Sequence, residues 1–496
     1  MTADRGVAFR ASVIHMISNM LRGCRPTEVR IAAFYAFFRR LVTRRLFRNG
    51  LFAAGQSLVV TLCVFLAYRI AISHVGLERL GVWSLLLAGA AVARIGDISG
   101  GGALARFVAT SSRTGKAQST RNTVHTVMLT TLGLNAFLGA MLWVGAPRAL
   151  PLFIQHQYLG EAQMLMPFVV VSLILSALAS AVLSGIDGVQ RADQRAIVVA
   201  TSAFIFLCAN WIFIPYFGVV GFGMANILQQ STMLVIGWLT LRFHIRDLGW
   251  FPYRWQREVF AETTGYAIKL NTIGVIGLLF EPLTKVAFNH AGGPGLVALY
   301  ELASRLVLQI RGLVIAAATP LVPAFAAGPN PDGPTFQSML EKSTRVATWA
   351  AVGVAIVTLA AAPVMSFLVL GRLSPELLQM NAALTAGWTL NIIVVPLYFA
   401  AQAYGVLRWN FASHVVVAIS VLLGVFLLVP LAVPNGIVIA IIVGLTLSML
   451  TVLFGNAHAL GITEVVRRLR WQLLGASAAV SSLSLAGWIL AGLIRI

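Results

Sequence analysis

Charge is what this 496-residue chain has least of, since only 10% of its residues are Asp, Glu, Lys or Arg, against about 25% in an ordinary soluble domain. With 58% hydrophobic residues and a mean hydropathy of +0.86, a soluble globular protein is excluded. Cysteine is scarce as well. Cys24, Cys63 and Cys208 form no CxxC pair and two of them lie in apolar runs, so neither a disulfide framework nor a zinc site is expected. The signatures of phosphate binding and hydrolysis are missing too: there is no Walker loop, no HExxH and no GxSxG, and the chain is therefore expected to be no enzyme and to need no cofactor or metal. Long polar stretches between the apolar runs are also lacking, which leaves no room for an extramembrane catalytic domain.

What is present is a series of apolar runs long enough to cross a bilayer. They fall at 51–73, 80–109, 122–145, 162–186, 196–214 and 221–243, and again at 264–288, 298–323, 344–370, 382–404, 414–432, 437–457 and 472–494. The expected fold is an all-α polytopic membrane protein of about 12–14 transmembrane helices in two six-helix lobes around a central cavity. The expected organisation is a basic tail over 1–49, a first lobe over 50–258, a second over 259–460, and a basic joint with an extra helix over 461–496.

Lys and Arg number 36 against 16 Asp and Glu, a formal net charge of +20. Lys and Arg gather on the cytoplasmic side of short loops. With the N-terminus cytoplasmic, the basic tail and the joints carrying Arg113, Lys116, Arg121, Arg191, Arg242, Arg254, Lys342, Arg408 and Arg467 share one side. The other side holds only Arg79, Arg148, Arg372 and Arg495. The basic balance thus reads as a topology signal and gives nucleic-acid binding no support. The stretch Ile31 to Phe47 mixes aromatic residues with arginines, which suits either a helix on an anionic cytoplasmic leaflet or plain disorder.

The end of the first span matches the end of the seventh. Tyr68-Arg69-Ile70-Ala71-Ile72-Ser73-His74-Val75-Gly76 faces Thr284-Lys285-Val286-Ala287-Phe288-Asn289-His290-Ala291-Gly292 at an offset of 216, and at 217 Trp83 faces Tyr300 and Arg94 faces Arg311. Six spans lie within the offset, so the two halves would share one orientation and be related by an axis along the membrane normal. His74 and His290 read as satisfied interfacial histidines rather than as a proton relay.

Ionisable groups at membrane depth are costly and mark functional cavities. Spans one, two, seven and eight carry the cations Arg69, Arg94, Lys269, Lys285, Arg305 and Arg311 and the acids Asp97, Glu281 and Glu301. Local pairing covers some of these, since Glu281/Lys285 and Glu301/Arg305 are i,i+4 neighbours and Arg94/Asp97 i,i+3. A cationic surplus remains, which points to a negatively charged visitor. The six cations are the candidate substrate-binding residues, and the three acids are candidates for ion coupling. Gly100, Gly101 and Gly102 interrupt the second span as a candidate hinge, with close helix packing as the other reading. Pro320, Pro323, Pro363 and Pro396 would kink further helices.

These residues carry a resemblance. Arg94-Ile95-Gly96-Asp97-Ile98-Ser99-Gly100-Gly101-Gly102, running on to Arg106, resembles the second-helix signature of polysaccharide flippases, with Ile98-Ser99 in place of Leu-Gly. Ala298-Leu299-Tyr300-Glu301-Leu302-Ala303-Ser304-Arg305 is similar to the segment opening that family's eighth helix, and Gly185-Ile186-Asp187-Gly188-Val189-Gln190-Arg191 to the joint after its fourth. From about residue 50 to 470 the chain resembles the O-antigen (Wzx-type) and exopolysaccharide branch of the multidrug/oligosaccharidyl-lipid/polysaccharide (MOP) exporter superfamily. A thirteenth span departs from the usual twelve or fourteen.

The resemblance implies alternating access and a flippase that moves an undecaprenyl-pyrophosphate-linked oligosaccharide from the cytoplasmic to the periplasmic leaflet of a bacterial inner membrane. The partners implied are the lipid-linked oligosaccharide, anionic lipid, and glycan polymerases or glycosyltransferases of the same pathway. The alternatives are a cation-coupled multidrug exporter of the same architecture, or an integral-membrane glycan polymerase or ligase.

If the glycines of span two form a hinge, replacing Gly100, Gly101 and Gly102 together with Ala adds helix propensity of about 0.8–1 kcal/mol per residue and traps one state. Labelling of cysteines introduced at the two membrane faces reads this out, and unchanged accessibility leaves close packing as the role of the run.

Overall fold

The structure is a computed structural model that describes residues 44–93, 104–113, 117–245, 248–319, 321–326, 333–428 and 436–494. The described part is helical throughout, without strands among the described residues. In chain order the helices are α1 (Arg44–Val75), α2 (Leu77–Ala93), α3 (Leu104–Arg113), α4 (Ala117–Phe153), α5 (Leu159–Gly188), α6 (Ala192–His244) and α7 (Arg257–Ala318). They continue as α8 (Leu321–Ala326), α9 (Pro334–Leu370), α10 (Pro375–Ile393), α11 (Val395–Ala403), α12 (Arg408–Leu428), α13 (Gly436–Ala459) and α14 (Thr463–Leu493).

Eight of the described helices are long and apolar enough to cross a membrane, or nine if α10 and α11, bent by 44° at their junction, form one span. That is fewer than the hydropathy reading expects, because α6 contains two legs and neither α2, at 17 residues, nor α7 is among the eight. A straight helix of the 53 residues of α6 would run about 80 Å. It turns instead at Gly218, whose φ of 56° and ψ of −134° only glycine adopts easily. α7, 62 residues long, breaks at Gly292 and Gly293 and folds back, so that Phe288 and Tyr300 stack with ring centroids 4.8 Å apart, whereas twelve residues of straight helix would separate them by about 18 Å. Counting legs instead of unbroken helices recovers the expected spans. At the α10–α11 bend Pro396 lies in the first turn of α11, where its missing N–H and its ring break the ladder.

Three apolar cores show how the legs pack. At the arginine-poor end, where α1 meets α2 and α9 meets α10, one core joins both halves: Tyr68, Leu80, Leu150 and Phe222 pack together with Phe288, Val297, Leu377 and Ile437. At the arginine-rich end the cores are separate. Leu104, Val108, Leu183, Ile186 and Leu241 serve the first half, and Phe325, Phe336, Leu340, Leu397 and Leu469 the second. The halves therefore share one core at one end and have separate cores at the other.

The two histidines that the offset of 216 pairs make the same local contact. His74 Nδ1 meets the carbonyl of Ile70 at 2.9 Å, and its equivalent His290 meets that of Val286 at 3.1 Å. Both histidines are satisfied by their own helix.

Closure depends on one close approach. A Cβ on Gly81 of α2 would collide with the backbone carbonyl of Pro294, so the first half can lie this near the second leg of α7 only with glycine there. Gly81→Ala is expected to destabilise the protein by about 1–3 kcal/mol through overpacking, outweighing the gain of about 0.8–1 kcal/mol in helix propensity. Gly89→Ala, on the same helix with nothing within 4 Å, shows only the gain. Melting temperatures in detergent are expected to fall for the first and hold or rise for the second.

Candidate functional site

Two of the charges that the sequence places in spans seven and eight, Lys285 and Arg305, converge on Glu301 in the second leg of α7. Burial of a carboxylate is expensive unless its oxygens are fully used, and here they are. Lys285 Nζ lies 2.7 Å from one oxygen and Arg305 Nε 2.5 Å from the other. The Ser84 hydroxyl donates at 3.0 Å and the Tyr68 hydroxyl at 3.3 Å. Lys285, on the first leg, also meets Glu281 at 2.6 Å. The i,i+4 spacing of Glu281/Lys285 and Glu301/Arg305 puts each pair on one helix face, and the turn at Gly293 brings the two faces together. Sequence spacing gave the pairs. It missed the bond between them and the neutral donors Tyr68 and Ser84. A signal was available: Ser84 and Glu301 are separated by the repeat offset of 217, and equivalent residues can touch only next to the axis that relates them.

The remaining candidates fall apart from this cluster. Arg69 donates to the carbonyls of Phe367 at 3.4 Å and Leu368 at 2.8 Å, in the last turn of α9, where a cation is favourable. It ties the end of α1 to the second half. Arg311, nearly three turns beyond Glu301, has its guanidinium 4.9 Å from the Trp388 ring centroid, and its Nε is buried without a hydrogen-bond partner. Among the described residues no carboxylate pairs with it. Arg94, Asp97, Gly100, Gly101 and Gly102 lie outside the described residues, as does the side chain of Lys269 within α7.

Each half holds a cavity. One of about 330 Å³ is lined by Tyr68, Trp83 and Phe222, by Asn226, Gln229 and Gln230, and by Arg305. The other, of about 350 Å³, is lined by Phe280, Trp388, Tyr398, Asn391, His414 and Arg311. Val64 and Phe280, related by the offset of 216, line the first and the second respectively. The second leg of α7 supplies an arginine to each: six residues apart, they project from different faces about 9 Å apart along the axis. The arrangement offers two aromatic-walled chambers joined by one cationic helix, open to binding rather than to bond making.

No protein-family model matches the sequence, and no curated protein matches it either. Solved structures do match. A multidrug-resistance MATE family transporter of the MOP superfamily, in an inward-facing conformation, superposes with a TM-score of 0.67 at 15% identity, covering 82% of this chain and 98% of that one. A Vibrio cholerae MATE transporter in its bent form gives 0.58 at 15% identity, with 86% and 98% covered. The lipid II flippase MurJ, inward closed, gives 0.64 at 12% identity, with 90% and 98% covered. The fold is that of these membrane transporters. They are transporters and a flippase, not enzymes, and their two-lobe arrangement agrees with the cores described above.

Glu301 is expected to be the costliest residue of the cluster to neutralise. Glu301→Gln removes one of the two carboxylates that Lys285 meets and leaves it Glu281; the Lys285 side chain is 3% exposed, and breaking such a buried pair costs up to roughly 3–5 kcal/mol. Arg305, 44% exposed, adds little. The double variant Glu301→Gln/Lys285→Met is expected to recover more than half of the lost thermal stability in detergent, an outcome that a carboxylate acting alone would not give.

Proposed function

We propose that the chain is a flippase that moves an undecaprenyl-pyrophosphate-linked oligosaccharide from the cytoplasmic to the periplasmic leaflet of a bacterial inner membrane, for surface polysaccharide synthesis. The observation that carries this reading is Arg311: a guanidinium at membrane depth, lining a cavity, with no carboxylate beside it among the described residues. An uncompensated buried cation is costly, and a pyrophosphate entering the cavity would supply the missing charge through a bidentate contact. Arg305, the cation of the other cavity, shares its charge with Glu301 and is the weaker anion site. Lys285 lies between two carboxylates and Arg69 caps α9, so their part is to hold the assembly in place. Arg94 and Lys269 complete the proposed cationic set.

The arginine-rich end is the proposed cytoplasmic side, with the N-terminus there, and the halves, whose cores are separate at that end, would admit substrate from that leaflet, where anionic lipid meets the basic tail. Glycosyltransferases would deliver the substrate and a polymerase would consume it. Of the acids proposed for ion coupling, Glu281 is 59% exposed, while Glu301 is saturated; Asp97 stays with the proposal. The exposed Glu281 also favours the second reading, cation-coupled multidrug export, for which the likeness to MATE transporters speaks equally. A cavity whose one charge is Arg311 suits organic cations poorly.

Reconstitution of the purified protein alone tests this. Proteoliposomes are expected to flip the lipid-linked glycan, with Arg311→Ala reducing the rate at least tenfold and Arg311→Lys restoring part of it, since a point charge lacks the planar fork. Full transport by Arg311→Ala, or drug efflux without glycan movement, would overturn the reading.

A further inference from the structure

The cavity of the first half has a chemistry of its own, which the placement of the anionic group does not use. Its polar lining consists of amides and hydroxyls. Asn226, Gln229 and Gln230 sit at i, i+3 and i+4 on the second leg of α6, a spacing that puts all three on one helix face. Ser172 and Ser176 sit at i, i+4 on α5, and both sets line the same cavity. The walls are aromatic: Trp83 and Phe222 are each 2% exposed and meet edge to face, 5.8 Å apart.

Two polar atoms of this lining are unspent. The Ser172 hydroxyl and Gln230 Oε1 are buried without a hydrogen-bond partner, a state that native structures rarely leave unanswered. Asn226 and Gln229 have no side-chain hydrogen bond among the described residues. Among the described residues no carboxylate lines the cavity, and the one charged group there, Arg305, already spends its Nε on Glu301. A ligand that fits must be uncharged where it enters, rich in paired donors and acceptors, and apolar on its faces. Carboxamides offer a donor and an acceptor side by side, which matches vicinal hydroxyls, while aromatic rings accept the C–H faces between them. The volume of about 330 Å³ lies in the range of ligand pockets, about 300–1,000 Å³.

We infer that this cavity is a carbohydrate subsite, in which Asn226, Gln229, Gln230 and Ser172 hydrogen-bond the sugar units of the transported lipid and Trp83 and Phe222 pack against them. The inference rests on the flippase reading and adds to it the residues that recognise the glycan, whereas Arg311 recognises the charge.

The test uses the full-length protein in proteoliposomes with two probes, undecaprenyl pyrophosphate and undecaprenyl pyrophosphate carrying a neutral tetrasaccharide. Gln229→Met/Gln230→Met keeps side-chain volume and removes the amides; Ser172→Ala removes a hydroxyl that has no partner to lose. Wild type is expected to flip the glycosylated probe faster than the bare one. The Gln pair variant is expected to lose at least tenfold, and Ser172→Ala about threefold, on the glycosylated probe, with the bare probe unchanged. Equal loss on both probes, or no loss in either variant, overturns the subsite and leaves the flippase intact. Failure of wild type to move either probe removes the flippase reading and the subsite with it.

Discussion

The structure turns on the burial of a single carboxylate. Glu301 sits in a low-dielectric interior where an uncompensated charge would be prohibitive, and it is held by a lysine, an arginine, a serine and a tyrosine that come from both legs of α7 and from α1 and α2. Satisfying it requires the second leg of α7 to lie against the first half, close to the axis that relates the two halves. Other features follow from that position. Gly81 must lack a Cβ because α2 passes the start of this leg. The apolar core is shared at this end because the carboxylate pins both halves there. The same helix then runs between the two cavities and gives an arginine to each.

The two arginines show how environment divides roles that sequence leaves equal. Arg305 and Arg311 both lie on an apolar helix, and both read as cavity cations. Arg305 is partnered one turn back by Glu301 and stacks near Tyr68. Arg311 faces an aromatic ring and an unmet hydrogen bond. A transporter that takes an anion from the membrane benefits from one bare cation rather than several, because a field too strong would hold the substrate as firmly as it captured it.

Much of this was legible in the sequence. Hydropathy placed the helical legs, and it did so better than helix length does, because Gly218 and the Gly292-Gly293 pair turn the chain without interrupting its apolar run. The i,i+4 pairs were readable because they obey a local rule. What could not be read were contacts made across helices: Lys285 to Glu301, Ser84 to Glu301, and Arg69 to the carbonyls of α9. The amide-lined cavity was missed for a different reason. Asn226, Gln229, Gln230, Ser172 and Ser176 carry no charge, so a search for intramembrane ions passes over them, although their helical spacing was there to be seen.

The distribution of charge also bears on how such a molecule could open. Every ion pair of the cluster, Glu281 with Lys285, Lys285 with Glu301 and Glu301 with Arg305, is internal to α7. The polar bonds that cross between the halves are of another kind: hydroxyl to carboxylate from Ser84 and Tyr68, guanidinium to backbone carbonyl from Arg69, and amide to backbone carbonyl from Asn289 and Gln309. Parting the halves would therefore leave no buried charge without its counter-charge. It would exchange a few hydrogen bonds, each worth about 0.5–3 kcal/mol net, for contacts with water or substrate, whereas separating a buried ion pair would cost roughly 3–5 kcal/mol at each break. A cluster split across the interface would lock the molecule; one carried whole on a single helix lets the interface close firmly and still release.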